Sequence, residues 1–205
     1  MTGNACPDPE QLLHHARAGN PAALGGLFEL YRNYLYLLAR LQIGRRLQGK
    51  VDPADIVQEA FLKAHSSFGQ FRGTTEEELI GWLRKILSSK LVDLLRQYYG
   101  AKARDVRLER DLAAEMDRSS RFLDRALVAR SSSPSRQAVR REQAVLLADA
   151  LERLPESYRE VLILHHLEEL PFPEVARRLS RTVDSVEKLW ARALARLRRA
   201  LGGAV

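Results

Sequence analysis

The side chains with reactive potential are few and badly spaced for catalysis. Cys6 is the only thiol, so no internal disulfide and no four-thiolate metal cage can form. Four of the five histidines stand in two adjacent pairs, His14-His15 and His165-His166. Neighbours on a helix point about 100° apart, and neither pair has a third ligand at metal-binding spacing. No HExxH, GxxxxGK(S/T) or GxSxG pattern occurs, so zinc-protease, nucleotide-cradling and serine-nucleophile chemistry all lack their parts. What the chain has in excess is cationic side chains, 33 Lys and Arg against 26 Asp and Glu, for a net charge of +7. Such an excess favours a polyanion, because each phosphate neutralised releases condensed counterions. The expectation is a binding protein that is not an enzyme and needs no cofactor and no metal.

The cations are densest at the C-terminus, where Arg192, Arg196, Arg198 and Arg199 follow one another. In the stretch Val183 to Leu201, Val186, Leu189, Trp190, Ala193, Leu197 and Leu201 fall on one helical face, and Asp184, Glu187, Lys188, Arg192 and Arg196 on another. A shorter helix precedes it, Pro173 to Leu179, with Val175, Ala176 and Leu179 inward and Arg177 and Arg178 outward. Only Ser180-Arg181-Thr182 joins the two, the length of a helix-turn-helix connection, with Thr182 placed to cap the second helix. A helical hairpin with a solvated basic face has the same pattern, and the local arginine density favours the DNA-reading alternative.

The elements behind that motif are all helical. The chain is 45% hydrophobic but only 7% aromatic, and Leu, Ala and Arg dominate. Asp8 to Ala18 reads as a short amphipathic helix stopped by Gly19-Asn20. Pro21 opens a longer one to about Ile43, and a turn follows over Gly44 to Lys50. Asp52 is an N-cap and Pro53 a first-turn residue for a helix with Ile56, Val57, Ala60, Phe61 and Ala64 inward, ending near Gly69. Thr74 or Thr75 can cap the next helix, whose first turn holds Glu76, Glu77 and Glu78 against the positive end of the helix dipole. That helix buries Leu79, Trp82, Leu83, Ile86, Leu87, Leu91, Leu94 and Leu95 and ends near Gln97. Periodicity then degrades around Ser131-Ser132-Ser133-Pro134-Ser135, with a thin apolar stripe from Leu108 to Leu127. It returns as Glu142 to Leu154 and Glu156 to Glu169, stopped by Pro155 and Pro171. The division expected is an extension with a short helix over 1–20, a helical domain over 21–100, a linker over 101–141 and a helix-turn-helix domain over 142–205.

No stretch approaches the roughly 20 apolar residues of a spanning helix, and Met1-Thr2-Gly3-Asn4-Ala5-Cys6-Pro7 lacks a basic-then-apolar signal. A cytoplasmic location without membrane insertion is expected.

Read together, the two halves resemble the extracytoplasmic-function (ECF) subgroup of the sigma-70 family, the dissociable promoter-specificity subunits of bacterial RNA polymerase. Asp55-Ile56-Val57-Gln58-Glu59-Ala60-Phe61 followed by Phe68-Gly69-Gln70-Phe71-Arg72-Gly73 is similar to region 2.2. Trp82-Leu83-Arg84-Lys85-Ile86 with Asp93-Leu94-Leu95-Arg96 is similar to regions 2.3 and 2.4. The stretch Leu151 to Leu162 is similar to region 4.1, and Pro173 to Ala176 through Ser185-Val186 to Arg192-Ala193 to region 4.2. The sequence departs from the family at Ser89, commonly Asn, and at His65, commonly a large aromatic.

The resemblance implies an all-α fold of two small helical domains, with core RNA polymerase and promoter DNA as partners and an anti-sigma protein as a third. It implies that Asp55, Gln58 and Glu59 dock on the polymerase clamp. Promoter melting calls for a basic groove that captures unpaired bases, and its candidates are Arg72, Thr74, Arg84, Lys85, Ser88, Ser89, Lys90 and Arg96 for the minus-10 strand. Phe71 and Trp82 could stack on bases or pack in the core. For the minus-35 element, Ser185, Lys188 and Arg192 are candidates for base edges or adjacent phosphates, and Arg177, Arg178, Arg181 and Arg196 for phosphates. Glu187 could accept from a cytosine amino group. Two rivals are weaker: a helix-turn-helix regulator that does not bind polymerase, against which the region 2.2-like stretch argues, and an enzyme, for which the motifs are lacking.

Overall fold

The computed structural model describes residues 8–46, 51–99 and 136–202, together with Ala114 and Ser119. Cys6 and most of the 101–141 stretch, including its Leu108 to Leu127 segment apart from Ala114 and Ser119, lie outside the described residues. The chain divides into two compact units, residues 1–118 and 119–205. All elements among the described residues are helical.

The first unit contains α1 (Pro9–Arg17), α2 (Pro21–Arg46), α3 (Pro53–Ser67), a single 3₁₀ turn (Phe68–Gln70) and α4 (Glu76–Tyr99). Its helix starts follow the side chains. Asp8 Oδ1 accepts from the Glu10 N–H (3.0 Å), Asn20 Oδ1 from Ala22 and Ala23 (3.0 and 3.2 Å), and Asp52 Oδ1 from Ala54 (2.8 Å). Each oxygen satisfies amides that a helix start leaves orphaned. Between α1 and α2 the chain reverses at Gly19, whose φ of +90° suits glycine alone. Helix α2 continues past the expected stop at Ile43, since a glycine such as Gly44 weakens a helix by about 1 kcal/mol without ending it.

Helix α4 packs against α1, α2 and α3. It therefore buries Ile80 and Val92 beyond the expected stripe, while Trp82, Ile86 and Leu94 are only half-buried. Phe28 of α2 stacks on Phe61 of α3, ring centroids 4.8 Å apart. Tyr31, fully buried on α2, donates its hydroxyl to Glu76 Oε1 (2.8 Å), tying α2 to the start of α4.

The second unit contains α5 (Arg136–Glu152), α6 (Glu156–Leu162), a π-helical turn (Ile163–Leu167), α7 (Phe172–Arg178) and α8 (Val183–Gly202). Helix α5 begins six residues before the expected Glu142. The single helix expected from Glu156 to Glu169 is broken. The Glu168 N–H reaches back to Ile163 O (2.9 Å), the wide i→i+5 spacing of a π turn, and Glu169 then turns left-handed at φ +57°. Helix α8 packs against α5, α6 and α7.

Candidate nucleic-acid interface

Helix α3 separates its faces cleanly. Ile56, Val57, Ala60, Phe61 and Ala64 are buried, while Asp55, Gln58 and Glu59 are exposed. Leu62 stands at helical spacing from that polar row and is 63% exposed, the highest value among the exposed large hydrophobic side chains. Sequence reading passed over Leu62, although its place off the buried stripe was a signal. The Glu59 carboxylate also lies 3.4 Å from Lys90 Nζ of α4. A residue expected at the polymerase and one expected at the minus-10 strand thus form one ion pair.

The corner between α3 and α4 is built around rings. Phe68, Phe71 and Trp82 form a cluster with centroids 5.0–6.1 Å apart. Phe71 is buried, so of its two roles the packing one is observed, and half-buried Trp82 shares the cluster. A Cβ on Gly73 would lie 2.3 Å from the Phe71 ring and 2.8 Å from Glu78 Cβ, so only glycine lets the loop pass this close.

Thr75, rather than Thr74, caps α4. Its hydroxyl accepts from the Glu78 N–H (3.3 Å), and Glu78 Oε2 reaches back to the Thr74 and Thr75 amides (2.8 and 3.1 Å), a reciprocal capping box. These backbone bonds hold the Glu78 carboxyl below its ordinary range, the Thr74 amide contributing most.

The eight minus-10 candidates do not share one surface. Lys85, Ser89 and Arg96 fall within about 40° of one another on α4. Lys85 and Ser89 are exposed, and half-buried Arg96 pairs with Asp93 at 3.6 Å. Arg72 and Thr74 are exposed in the preceding loop, and Arg84 is half-buried. Lys90 turns toward α3. Ser88 is a correction: it is buried, since α4 is covered on more sides than its leucine stripe indicates, and its hydroxyl is not available to DNA.

In the second unit the connection between α7 and α8 is a Schellman turn. The Arg181 N–H returns to Ala176 O (2.9 Å) and the Ser180 N–H to Arg177 O (3.3 Å), with Ser180 left-handed at φ +52°. Thr182 Oγ1 then accepts from the Ser185 N–H (3.3 Å), the expected cap of α8. On α8, Val186 and Ala193 are fully buried, and Leu189, Trp190, Leu197 and Leu201 half-buried. Ser185, Lys188, Arg192 and Arg196 lie within an arc of about 80° on the outer side.

Several of these cations already have partners. Lys188 pairs with Asp184 at 2.7 Å. Arg177 holds Glu174 through two bonds, Nε to Oε2 (2.9 Å) and Nη2 to Oε1 (2.6 Å), which lowers the Glu174 carboxyl from its ordinary range. Arg178 differs from the rest: its Nη1 donates to Glu168 Oε2 (2.8 Å), and the Glu168 side chain is only 7% exposed. That guanidinium braces the π turn against α7, a role the sequence could not show because the partners are ten residues apart. Arg181, Arg192 and Arg196 are exposed. Among the described residues no group of three His, Cys, Asp or Glu could hold a metal, and no helix is long and apolar enough to cross a membrane.

A bundle with an exposed polar row, followed by a helix-turn-helix with a cationic outer face, defines a class that comparison with known families makes explicit. The Sigma-70 region 2 profile matches residues 27–99 and the Sigma-70, region 4 profile residues 144–197, together more than half of the chain. The chain belongs to the sigma-70 family. It is 29% identical over 195 residues to the ECF RNA polymerase sigma factor SigM of Mycobacterium tuberculosis, covering 95% of this chain and 85% of that protein. It is 25% identical over 176 residues to the ECF sigma factor SigW of Bacillus subtilis, covering 85% and 87%. Among solved structures, CnrH in complex with the cytosolic domain of CnrY aligns over 97% of this chain and 100% of that one, at 25% identity and a TM-score of 0.35. Within the family this is an RNA polymerase sigma factor of the ECF subgroup, and a helix-turn-helix regulator independent of polymerase is not favoured.

Proposed function

We propose that α3 is the polymerase-docking element, α4 with its preceding loop the minus-10 element, and α8 the minus-35 element. The observation that carries this reading is the division of α3. Asp55, Gln58 and Glu59 are turned outward beside exposed Leu62, while the opposite side of the helix is fully committed to the core. Polar side chains supply charge complementarity, and an apolar anchor among them supplies the desolvated centre that binding surfaces need.

Arg72, Thr74, Lys85, Ser89 and Arg96, with Arg84 and Lys90 beside them, attract and hold the separated minus-10 strand, whose capture assists promoter melting. Ser185, Lys188 and Arg192 meet base edges or the phosphates beside them in the duplex, and Arg177, Arg181 and Arg196 meet phosphates. Arg178 is assigned to bracing α7 instead. The corresponding division of the chain is 21–100 for polymerase and minus-10 contacts, 101–141 as linker and 142–205 for the minus-35 element. The protein acts in the cytoplasm, has no catalytic group of its own, and on the family resemblance has an anti-sigma protein as a further partner.

The test is co-elution with bacterial core RNA polymerase on a sizing column, for the native chain and for the triple variant Asp55→Ala, Gln58→Ala, Glu59→Ala. The native chain is expected to travel with the enzyme, and the variant to bind about 100-fold more weakly with its helical content unchanged. Equal co-elution of the two would remove α3 from the interface.

A further inference from the structure

Two histidines that form no metal site meet Phe172 and Trp190 in the second unit. His165 stacks on Phe172 with ring centroids 4.1 Å apart and planes 14° from parallel, and it meets Trp190 edge-on at 5.9 Å. Its Nδ1 is 2.9 Å from Leu170 O. A carbonyl only accepts, so that nitrogen carries a proton. His166 lies 6.0 Å from the Trp190 ring, and Trp190 Nε1 is 2.9 Å from His166 Nε2. An indole N–H only donates, so His166 must offer the lone pair of Nε2, and its imidazole must be neutral for this bond to exist.

The bond matters because of where Trp190 stands. It sits on α8 between Lys188 and Arg192, and it links that turn of the helix to the π turn 24 residues earlier. Helix α8 is fully buried only at Val186 and Ala193 within this stretch, so its rotation about its own axis depends on the half-buried side chains, Trp190 foremost. A rotation there moves Lys188 and Arg192 together.

We propose that His166 is a positioning residue for promoter binding: neutral, it anchors the minus-35 helix through Trp190, and protonated, it releases that anchor and weakens the upstream contact. The proposal rests on α8 reading duplex DNA as argued above. The groups that face His166 are His165 on its own turn and Trp190 on α8, with Phe172 of α7 reaching it through His165. Among the described residues, the one charge that acts on His166 is that of His165. Partial burial at the edge of the indole, and then the charge of His165, hold the proton affinity of His166, an otherwise exposed residue, below the usual imidazole value. Because the folded-state value is the lower one, the bond and its stabilisation are complete above the ordinary pKa of about 6.5. They are lost as pH falls through the folded-state value.

The test takes the full chain with core polymerase and a duplex that the native holoenzyme has selected from a pool randomised over the upstream element. Affinity is measured from about pH 8 to about pH 5.5 for the native protein, His166→Gln and Trp190→Phe. Gln keeps an acceptor that does not titrate, and Phe keeps a ring without the donor. The native protein is expected to lose about fivefold more affinity over that range than His166→Gln, the scale of one hydrogen bond. Trp190→Phe is expected to start weaker and to run parallel to His166→Gln. In the free chain, the Trp190 indole N–H resonance should shift with the His166 titration. Parallel profiles for native protein and His166→Gln, or an indole resonance that stays fixed, would overturn the positioning role. Selection of no upstream sequence by the native holoenzyme would instead overturn the minus-35 assignment of α8, and this inference with it.

Discussion

Helices α4 and α8 both carry rows of cations, and they are held in opposite ways. Each packs against three other helices, but α4 buries Leu79, Ile80, Leu83, Leu87, Leu91, Val92 and Leu95 along its length. Its basic residues occupy what is left over, so they scatter around the helix and one serine candidate is lost to the core. Helix α8 gives up far less surface to packing, and Ser185, Lys188, Arg192 and Arg196 share one side. Beside Val186 and Ala193 it is held by the Trp190 ring contacts, the Trp190–His166 bond and the turn before it. Apolar packing fixes a helix firmly but consumes the surface a partner could use. Polar bracing leaves the surface open and makes position sensitive to charge.

Substitutions can break this contrast in graded steps. The two tryptophans report on one unit each, Trp82 on the first and Trp190 on the second, so single-tryptophan variants separate the responses. Leu87→Ala, at a fully buried site on α4, is expected to destabilise the first unit by about 2–5 kcal/mol in urea unfolding followed through Trp82, and to leave the Trp190 signal unchanged. An equal loss in both signals would mean the units are not independent. Arg178→Ala should cost the second unit about 2 kcal/mol, because it strands a largely buried carboxylate. Arg177→Ala, which frees only an exposed pair, should change stability by less than about 0.5 kcal/mol. Similar losses for the two arginines would contradict a bracing role for Arg178. Asp52→Ala is expected to cost the first unit about 1 kcal/mol through the lost cap of α3, measured in the same titration. Ser180→Gly works in the other direction and should stabilise the second unit by up to about 1 kcal/mol by relieving a left-handed serine.

The sequence carried the elements whose causes are local. The Asp52 cap, the proline starts, the glutamate-rich opening of α4 and the two-faced pattern of α8 depend on residues within a turn or two of each other. What it did not carry depends on distant partners. The Glu59–Lys90 pair needs α3 and α4 side by side, and the burial of Ser88, Ile80 and Val92 needs three helices around α4. The Schellman turn has serine where glycine is the usual signal, so its geometry was hidden although its length was plain. The π turn hides in a run, Ile163 to Leu167, whose composition would suit an unbroken helix. Among the candidate contact residues, the row on α8 came out together because periodicity alone determines it. The set on α4 scattered because packing decides which faces remain.

Glu169 and Ser180 bracket α7 with two left-handed backbones that glycine would adopt without strain. Each raises the folded energy of the unit by about 1–2 kcal/mol. A domain poised this way opens more often, and proteases act on what is transiently open. Those two turns therefore bear on how long the factor persists in the cell, and on how quickly transcription from its promoters subsides once synthesis stops.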